Sequence, residues 1–338
     1  MARIAVVLMN LGGPDAPEAV EPFLYNLFSD PAIIRLPGFL RRPLARVVAR
    51  RRARVARDIY QRLGGRSPLL ANTEAQARAL EAALDPEHRC FIAMRYWHPT
   101  SVEAAAEVVE WSPDKIVCLP LYPQFSTTTT ASSLAAWRRA AECCGFDLPT
   151  ETVCCYPALE GFILAMAGLI RPVLDRAGGQ ARLPRLLLTA HGLPKKIVRH
   201  GDPYPSQVEA TAAALIEAMD RPGLDWRVCY QSRVGPLAWI GPATDDEIRQ
   251  AGRDQVPIVV APISFVSEHS ETLVELDLDY RHLAEASGVS AYYRVPTVGI
   301  DPSFIQALAG LVRRATAGDR VGGCASQQPR CAFAGGLG

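Results

Sequence analysis

No unbroken apolar run in the chain approaches the roughly 18 residues of a membrane-spanning helix, so no segment is expected to cross a bilayer. Overall basic excess is also lacking. The formal net charge is only +1, which argues against nucleic acid as a partner. The amino end, Arg3 to Pro14, has an apolar core too short to span a membrane and no signal-cleavage pattern; it reads as a first strand. A soluble, cytoplasmic protein follows as the expectation. A secreted disulfide framework is missing too, since the nine cysteines fall in a chain of 338 residues and include the adjacent pairs Cys143-Cys144 and Cys154-Cys155. Reduced thiols are expected. Cys118 and Cys229 sit in apolar strand patterns, where cysteine behaves as a small hydrophobe. Finally, no short-spaced set of metal ligands of the zinc-site kind is present.

With 49% hydrophobic residues, the chain can bury two cores. Strand-like runs recur at 3–8, 90–95, 115–121, 151–156, 185–190, 226–231, 256–265 and 291–295, with helical patterns between them. That alternation predicts an α/β protein of βαβ units and parallel sheets. A weak repeat is visible in the strand-end turns: Asn10-Leu11-Gly12-Gly13-Pro14 matches Ala190-His191-Gly192-Leu193-Pro194, and Tyr96-Trp97-His98-Pro99 matches Gln231-Ser232-Arg233-Val234-Gly235-Pro236. Two similar halves with a cleft between them are expected, the natural place for a ligand.

The halves differ between their first and second strands, where 15–88 is insertion-like. Within it, 41–57 holds eight arginines and no acid, interleaved in the wider stretch with Leu36, Phe39, Leu40, Leu44, Val47 and Val48. This cationic amphipathic stretch reads either as a solvated helix face or as a mouth touching anionic lipid or an anionic ligand. After Arg314 the composition turns to Gly, Ala, Ser and Gln, too polar to bury a core of its own, although Cys324 and Cys331 lie there.

Chemistry concentrates at two strand ends. The buried-strand pattern Pro257 to Ala261 runs on into Ser267-Glu268-His269-Ser270-Glu271, an imidazole flanked by carboxylates. The run Leu186-Leu187-Leu188-Thr189-Ala190 delivers a lone His191 into a Gly and Pro turn. Ligands of open α/β sheets bind beyond such carboxyl ends. The plainer reading makes Glu268 and Glu271 acids at a helix start, with Ser267 or Ser270 as its cap. Glu271, Glu275 and Asp279 then recur every four residues, a spacing that lines up on one side if the helix widens to a π turn. An acidic rail for a cation or protons is one reading; a solvated acidic face is the other.

Taken together, these segments resemble the ferrochelatase family over roughly 4–315. The resemblance rests on Leu8-Met9-Asn10-Leu11-Gly12-Gly13-Pro14, Gly64-Gly65-Arg66-Ser67-Pro68-Leu69, Met94-Arg95-Tyr96-Trp97-His98-Pro99, Leu121-Tyr122-Pro123-Gln124-Phe125-Ser126, Ser132-Ser133-Leu134, Ala190-His191-Gly192-Leu193-Pro194, Tyr230-Gln231-Ser232-Arg233-Val234-Gly235-Pro236 and Ser267 to Leu273. It implies two Rossmann-like lobes of parallel four-stranded sheets flanked by helices. The first is 1–150, with a lip at 15–70 and a completing helix at 302–316; the second is 151–300, and a tail follows at 317–338. It further implies a nitrogen–metal bond-forming enzyme that inserts Fe²⁺ into protoporphyrin IX in the last step of haem synthesis.

On this resemblance, His191 and Glu271 meet the metal from opposite sides of a porphyrin cleft. Metallation asks for a neutral imidazole as base and a carboxylate for a hard divalent ion. Glu275, Asp279, Glu268 and His269 are the implied path for iron and protons. Tyr96, Tyr122 and Trp239 are candidate ring walls; Arg62, Arg95 and the loop from Ser126 to Thr130 are candidates for the propionates. Leu11 stands where the coproporphyrin-using branch carries tyrosine, which favours protoporphyrin. Some members bind a [2Fe-2S] cluster through one internal and three tail cysteines; here Cys154 or Cys155 with Cys324 and Cys331 supplies three thiolates, with Phe333 where another would be expected, unless the vicinal pair Cys154-Cys155 or another residue completes the set. A lip rich in arginine implies peripheral contact with the inner membrane. Three other readings compete: a zinc hydrolase using His191, His269 and Glu271, a porphyrin or haem carrier, and a chelatase for cobalt, nickel or another tetrapyrrole.

Overall fold

A computed structural model describes residues 2–179 and 182–319, and the described chain divides into two compact units. In the first, β1 (Ile4–Asn10) leads through a 3₁₀ turn into α1 (Val20–Phe28), α2 (Gly38–Gln61) and α3 (Leu69–Ala83). Next come β2 (His88–Met94), α4 (Ser101–Trp111), β3 (Lys115–Pro120), α5 (Thr130–Cys144) and β4 (Thr150–Thr152). Their parallel sheet has the order β2-β1-β3-β4. Every residue of the central β1 is buried, as its unalternating apolar sequence requires; each fully buried Val, Leu or Met there contributes about 1.5–3 kcal/mol.

The second unit contains α6 (Glu160–Ala177), β5 (Arg185–His191), α7 (Lys195–Arg199), α8 (Tyr204–Met219), β6 (Trp226–Gln231), α9 (Thr244–Asp254) and β7 (Ile258–Pro262). A π-helix (Glu271–Asp279), α10 (Tyr280–Ala286) and β8 (Tyr292–Arg294) complete it. Its parallel sheet is ordered β6-β5-β7-β8, the same second-first-third-fourth sequence as in the first unit. The repeat and the α/β class read from the sequence are therefore present, and all eight expected strands form. Cys118 and Cys229 are fully buried.

The carboxyl-terminal helix is shared between the units. The sequence assigns 302–316 entirely to the first lobe, whereas the division between units falls inside α11 (Pro302–Thr316), between Ala307 and Leu308. The cause is local packing. Phe304 stacks on Tyr156 and Phe162 at centroid distances of 6.4 and 5.8 Å, and a Cβ at Gly161 would stand 2.4 Å from the Ser303 carbonyl, so α6 admits the first turn of α11 only because glycine is there. The last turn belongs to the first unit, where Lys115 Nζ donates to the Thr316 carbonyl at 2.9 Å and Arg313 to the Ala83 carbonyl at 2.7 Å.

The arginine-rich segment forms α2. Its buried stripe is Ala45, Ala49 and Ala53, four residues apart and small enough for α1 to pack closely. Phe39 is 76% exposed, and Leu40, Leu44, Val47 and Val55 are exposed as well. Arginines and large apolar side chains thus both point outward, which is unusual for a helix docked on its own core. Among the described residues, no helix is long and apolar enough to cross a membrane.

Candidate functional site

The second unit gathers the chemistry. β5 ends at His191, and the π-helix begins at Glu271 beyond the end of the adjacent β7. His191 Nδ1 lies 2.8 Å from Glu271 Oε2. Burial opposes charge on the Glu271 carboxyl, but the charges and hydrogen bonds of His191 and His269 outweigh it and hold the group well below the usual carboxylate range. A carboxylate only accepts hydrogen bonds, so Nδ1 of His191 donates, and Nε2 of the neutral ring carries the lone pair. Burial likewise opposes charge on His191, but the Glu271 carboxylate overrides it and raises the imidazole's proton affinity.

His269 stands behind this pair. Its Nδ1 donates to the Ser267 carbonyl at 3.2 Å, directing Nε2 toward Glu271 Oε2 at 3.7 Å. Thr272 fixes the turn by accepting the His269 N–H at 3.0 Å and donating back to the His269 carbonyl at 3.1 Å.

Further along the π-helix, Glu275 receives four donors. Ser232 N–H is 2.8 Å from Oε1, Ser232 Oγ 2.5 Å and Gln231 Nε2 3.1 Å from Oε2, and the Tyr280 hydroxyl 3.0 Å from Oε1. Burial, followed by repulsion from Glu271, nevertheless raises its pKa. Asp279 is exposed. Glu271, Glu275 and Asp279 therefore step from a half-buried pair to solvent along one π-helix, the widened turn that the four-residue spacing predicts.

Trp239 joins this group. A Cβ at Gly192, the residue after His191, would stand 2.9 Å from the Gln231 carbonyl and 3.3 Å from Trp239 Cε3. The indole therefore packs over the His191 turn, and among the described residues its buried Nε1–H has no acceptor. Sequence reasoning assigned no role to Gln231, Ser232 or Tyr204. Gln231 Nε2 also donates to the Glu271 carbonyl at 3.1 Å, and Tyr204 donates to Ser264 at 3.1 Å close to Glu271. Gln231 and Ser232 lay inside a quoted motif, but their acceptor is remote in sequence.

The structure gives several of these residues partners that the sequence did not show. His191 and Glu271 touch directly, where the resemblance implied that they face each other across a ring. Glu268 is committed to Arg294 at 2.5 Å and to the Thr297 N–H at 3.0 Å, so it is a structural ion-pair partner off the line of the rail. In the first unit, Arg95 Nη2 bonds Asp30 at 2.7 Å and its Nε bonds Ser132 at 2.6 Å. Tyr96, 2% exposed, donates to the same Asp30 at 2.8 Å. Tyr96 is therefore buried and Arg95 half-buried around a buried acid, which burial pushes up but its four hydrogen-bonding and charged neighbours hold below the usual range; Arg95 also lines an open cavity with Asp30, Thr127 and Ser132. Ser126 is buried and shares a 2.8 Å hydrogen bond with Thr128 ahead of α5, a turn role. Tyr122 is half-buried with an enclosed hydroxyl. Arg62 is exposed, and Leu11 is half-buried against the Val20, Phe23 and Tyr96 cluster.

The profile "Ferrochelatase" matches residues 3–316. The chain belongs to the ferrochelatase family. A relative named ferrochelatase from Caulobacter vibrioides (strain NA1000 / CB15N) is 54% identical over 316 residues, covering 92% of this chain and 90% of its own. Another, from Phenylobacterium zucineum (strain HLK1), is 55% identical over 312 residues, covering 91% and 90%. Among solved structures, the sirohydrochlorin chelatase SirB from Bacillus subtilis subspecies spizizenii, in complex with cobalt, superposes with a TM-score of 0.54 at 11% identity, covering 93% of this chain and 96% of that one; this supports the fold. The chain is thus a metal-inserting enzyme of haem synthesis.

Proposed function

We propose that this ferrochelatase-family chain inserts Fe²⁺ into protoporphyrin IX, with His191 as the base and Glu271 as the acid that orients it and balances its charge. The observation that carries the reading is the 2.8 Å contact between His191 Nδ1 and Glu271 Oε2, which leaves the Nε2 lone pair as the proton acceptor. Insertion forms four Fe–N bonds and releases two pyrrole protons, with no change in oxidation state. One proton goes to His191 Nε2, giving an imidazolium stabilised by Glu271. The second leaves by way of Glu275, whose raised pKa lets it hold a proton closer to neutrality, and then by the exposed Asp279. Trp239 offers the macrocycle an indole face, and Leu11 supports the protoporphyrin choice.

Anaerobic loss of protoporphyrin fluorescence on adding Fe²⁺ tests the assignment. Turnover in the wild type, with its loss but retained porphyrin binding in His191→Ala, is the expected result. Binding without turnover in the wild type would make the chain a carrier, and a preference for Co²⁺ would favour another chelatase.

The outward Phe39, Leu40, Leu44 and Val47 beside the arginines of α2 support peripheral contact with an anionic membrane surface, where apolar insertion and phosphate attraction act together. Co-sedimentation with vesicles containing phosphatidylglycerol, lost in Phe39→Glu, tests it. A [2Fe-2S] centre takes four thiolates. Cys154 and Cys155 are 5% and 1% exposed on adjacent residues and Cys324 and Cys331 lie outside the described residues, so among the described residues no such ligand group is gathered. No step here passes through a cluster.

A further inference from the structure

The π-helix carries Glu271 and Glu275. Its support comes from the edge strand β8. Arg294, with a side chain 11% exposed, forms a two-point pair with Asp277, Nε to Oδ1 at 2.9 Å and Nη2 to Oδ2 at 2.5 Å. The remaining Nη1 reaches Glu268 Oε1 at 2.5 Å. Two residues earlier, the Tyr292 hydroxyl donates to the Leu276 carbonyl at 2.5 Å. Arg281 ties the same corner together by donating to the carbonyls of Asp277 at 3.1 Å and Tyr292 at 3.3 Å.

Glu268 and Asp277 bracket His269, Glu271 and Glu275 in sequence, and one guanidinium holds both brackets. We infer that Arg294 is a positioning residue for metal insertion, fixing the loop before Glu271 and the π-helix after it in the register that aims Glu271 at His191. Only arginine suits the place. Its planar fork satisfies a two-point carboxylate and a second acid together, whereas a lysine ammonium makes one point contact. The Tyr292 hydroxyl adds a tie from β8 to the π-helix backbone at the Leu276 carbonyl. The inference rests on the metal-insertion reading for its catalytic consequence, but not for its structural one.

Arg294 also lines an open cavity of about 480 Å³ with Arg176, Asp277, Arg281, Tyr292 and Tyr293, so a small cation can reach the place its side chain would vacate. The experiment uses the full chain with Arg294→Ala, Arg294→Lys and, in case the alanine variant does not fold, Asp277→Asn. In the folded variants kcat is expected to fall about 10²-fold, the effect of an ångström-scale misplacement, with protoporphyrin affinity unchanged. Arg294→Lys lies between, and methylguanidinium restores Arg294→Ala but not His191→Ala. Hydrogen exchange over 268–279 is expected to quicken in Arg294→Ala and Asp277→Asn while the rest of the second unit keeps its protection. Unchanged exchange over 268–279 overturns the inference whether or not the wild type turns over, as does wild-type kcat in the folded variants or a loss that methylguanidinium leaves untouched. A wild type without turnover, combined with locally quickened exchange, defeats the metal-insertion reading and leaves the clamp standing.

Discussion

His191 donates from Nδ1 to Glu271 Oε2 over 2.8 Å, so the imidazole and the carboxylate proposed as base and acid form one hydrogen-bonded unit. The contact fixes the ring plane, sets the tautomer and supplies a counter-charge for the imidazolium that forms when a pyrrole proton is taken. A carboxylate placed across the ring could bind metal but could do none of these.

Removal of the base should therefore cost the rate and spare the affinity. His191→Ala is expected to lower kcat by about 10²–10⁴-fold, the usual contribution of a positioned general base. Fluorescence titration with protoporphyrin should give a Kd close to that of the wild type; parallel loss of binding would show that the imidazole holds the ring and does not deprotonate it.

The pair should also leave a pH signature. Glu271 is depressed in the folded chain, so its stabilisation is present above its unfolded value of about 4.3 and is lost as pH falls through the folded one. His191 is raised, so its stabilisation is full below about pH 6.5 and fades as pH rises through the folded value. The Tm gap between wild type and Glu271→Gln should be widest between about pH 4.5 and 6.5 and narrow above that window. With its counter-charge gone, His191 should lose its proton at lower pH, moving the rising limb of the pH–rate profile toward acid. A Tm gap that ignores pH would contradict the coupling.

Much of this arrangement can be read from the sequence because period and strand ends are local signals. The unbroken apolar runs ending in His191 and before Glu268 mark buried parallel strands, and the four-residue spacing of Glu271, Glu275 and Asp279 marks the π-helix. Pairings distant in sequence left no comparable trace. Asp30 is 65 residues from Arg95, and it gives both Arg95 and Tyr96 a buried partner that their own segment does not reveal. Arg294 likewise claims Glu268 from 26 residues away. The split in α11 depends on Gly161 meeting Ser303, a fit visible only in three dimensions.

Gly192 separates packing from chemistry. An added methyl would meet the Gln231 carbonyl at 2.9 Å and Trp239 at 3.3 Å, and backbone cannot yield as a flexible side chain would. Gly192→Ala should cost about 1–3 kcal/mol by denaturant unfolding and reduce kcat by displacing the His191 turn. Wild-type kcat at reduced stability would show that the turn tolerates the shift.

The acidic series predicts a dependence on iron concentration. Glu275→Gln with Asp279→Asn removes two carboxylates while keeping shape, so the KM for Fe²⁺ should rise about tenfold, one to two kcal/mol of lost attraction to a divalent ion near the surface, with a smaller fall in kcat. Saturation curves at low Fe²⁺ measure this directly. Coinciding curves for mutant and wild type would return the series to a solvated helix face.

Asp30 offers a test of the opposite kind, since it is buried and holds the half-buried Arg95 by an ion pair. Asp30 is 4% exposed and accepts from Arg95, Tyr96, Ser132 and the Ala32 N–H. Asp30→Ala leaves the guanidinium, whose side chain is 14% exposed, without its counter-charge, and breaking such a pair costs about 3–5 kcal/mol. The Tm should drop sharply in the variant, while protoporphyrin affinity in the protein that remains folded stays at the wild-type level. If Arg95 instead serves the propionates, freeing it from Asp30 would tighten porphyrin binding. Titration at a temperature where the variant is folded therefore decides between the core and the ligand role of Arg95.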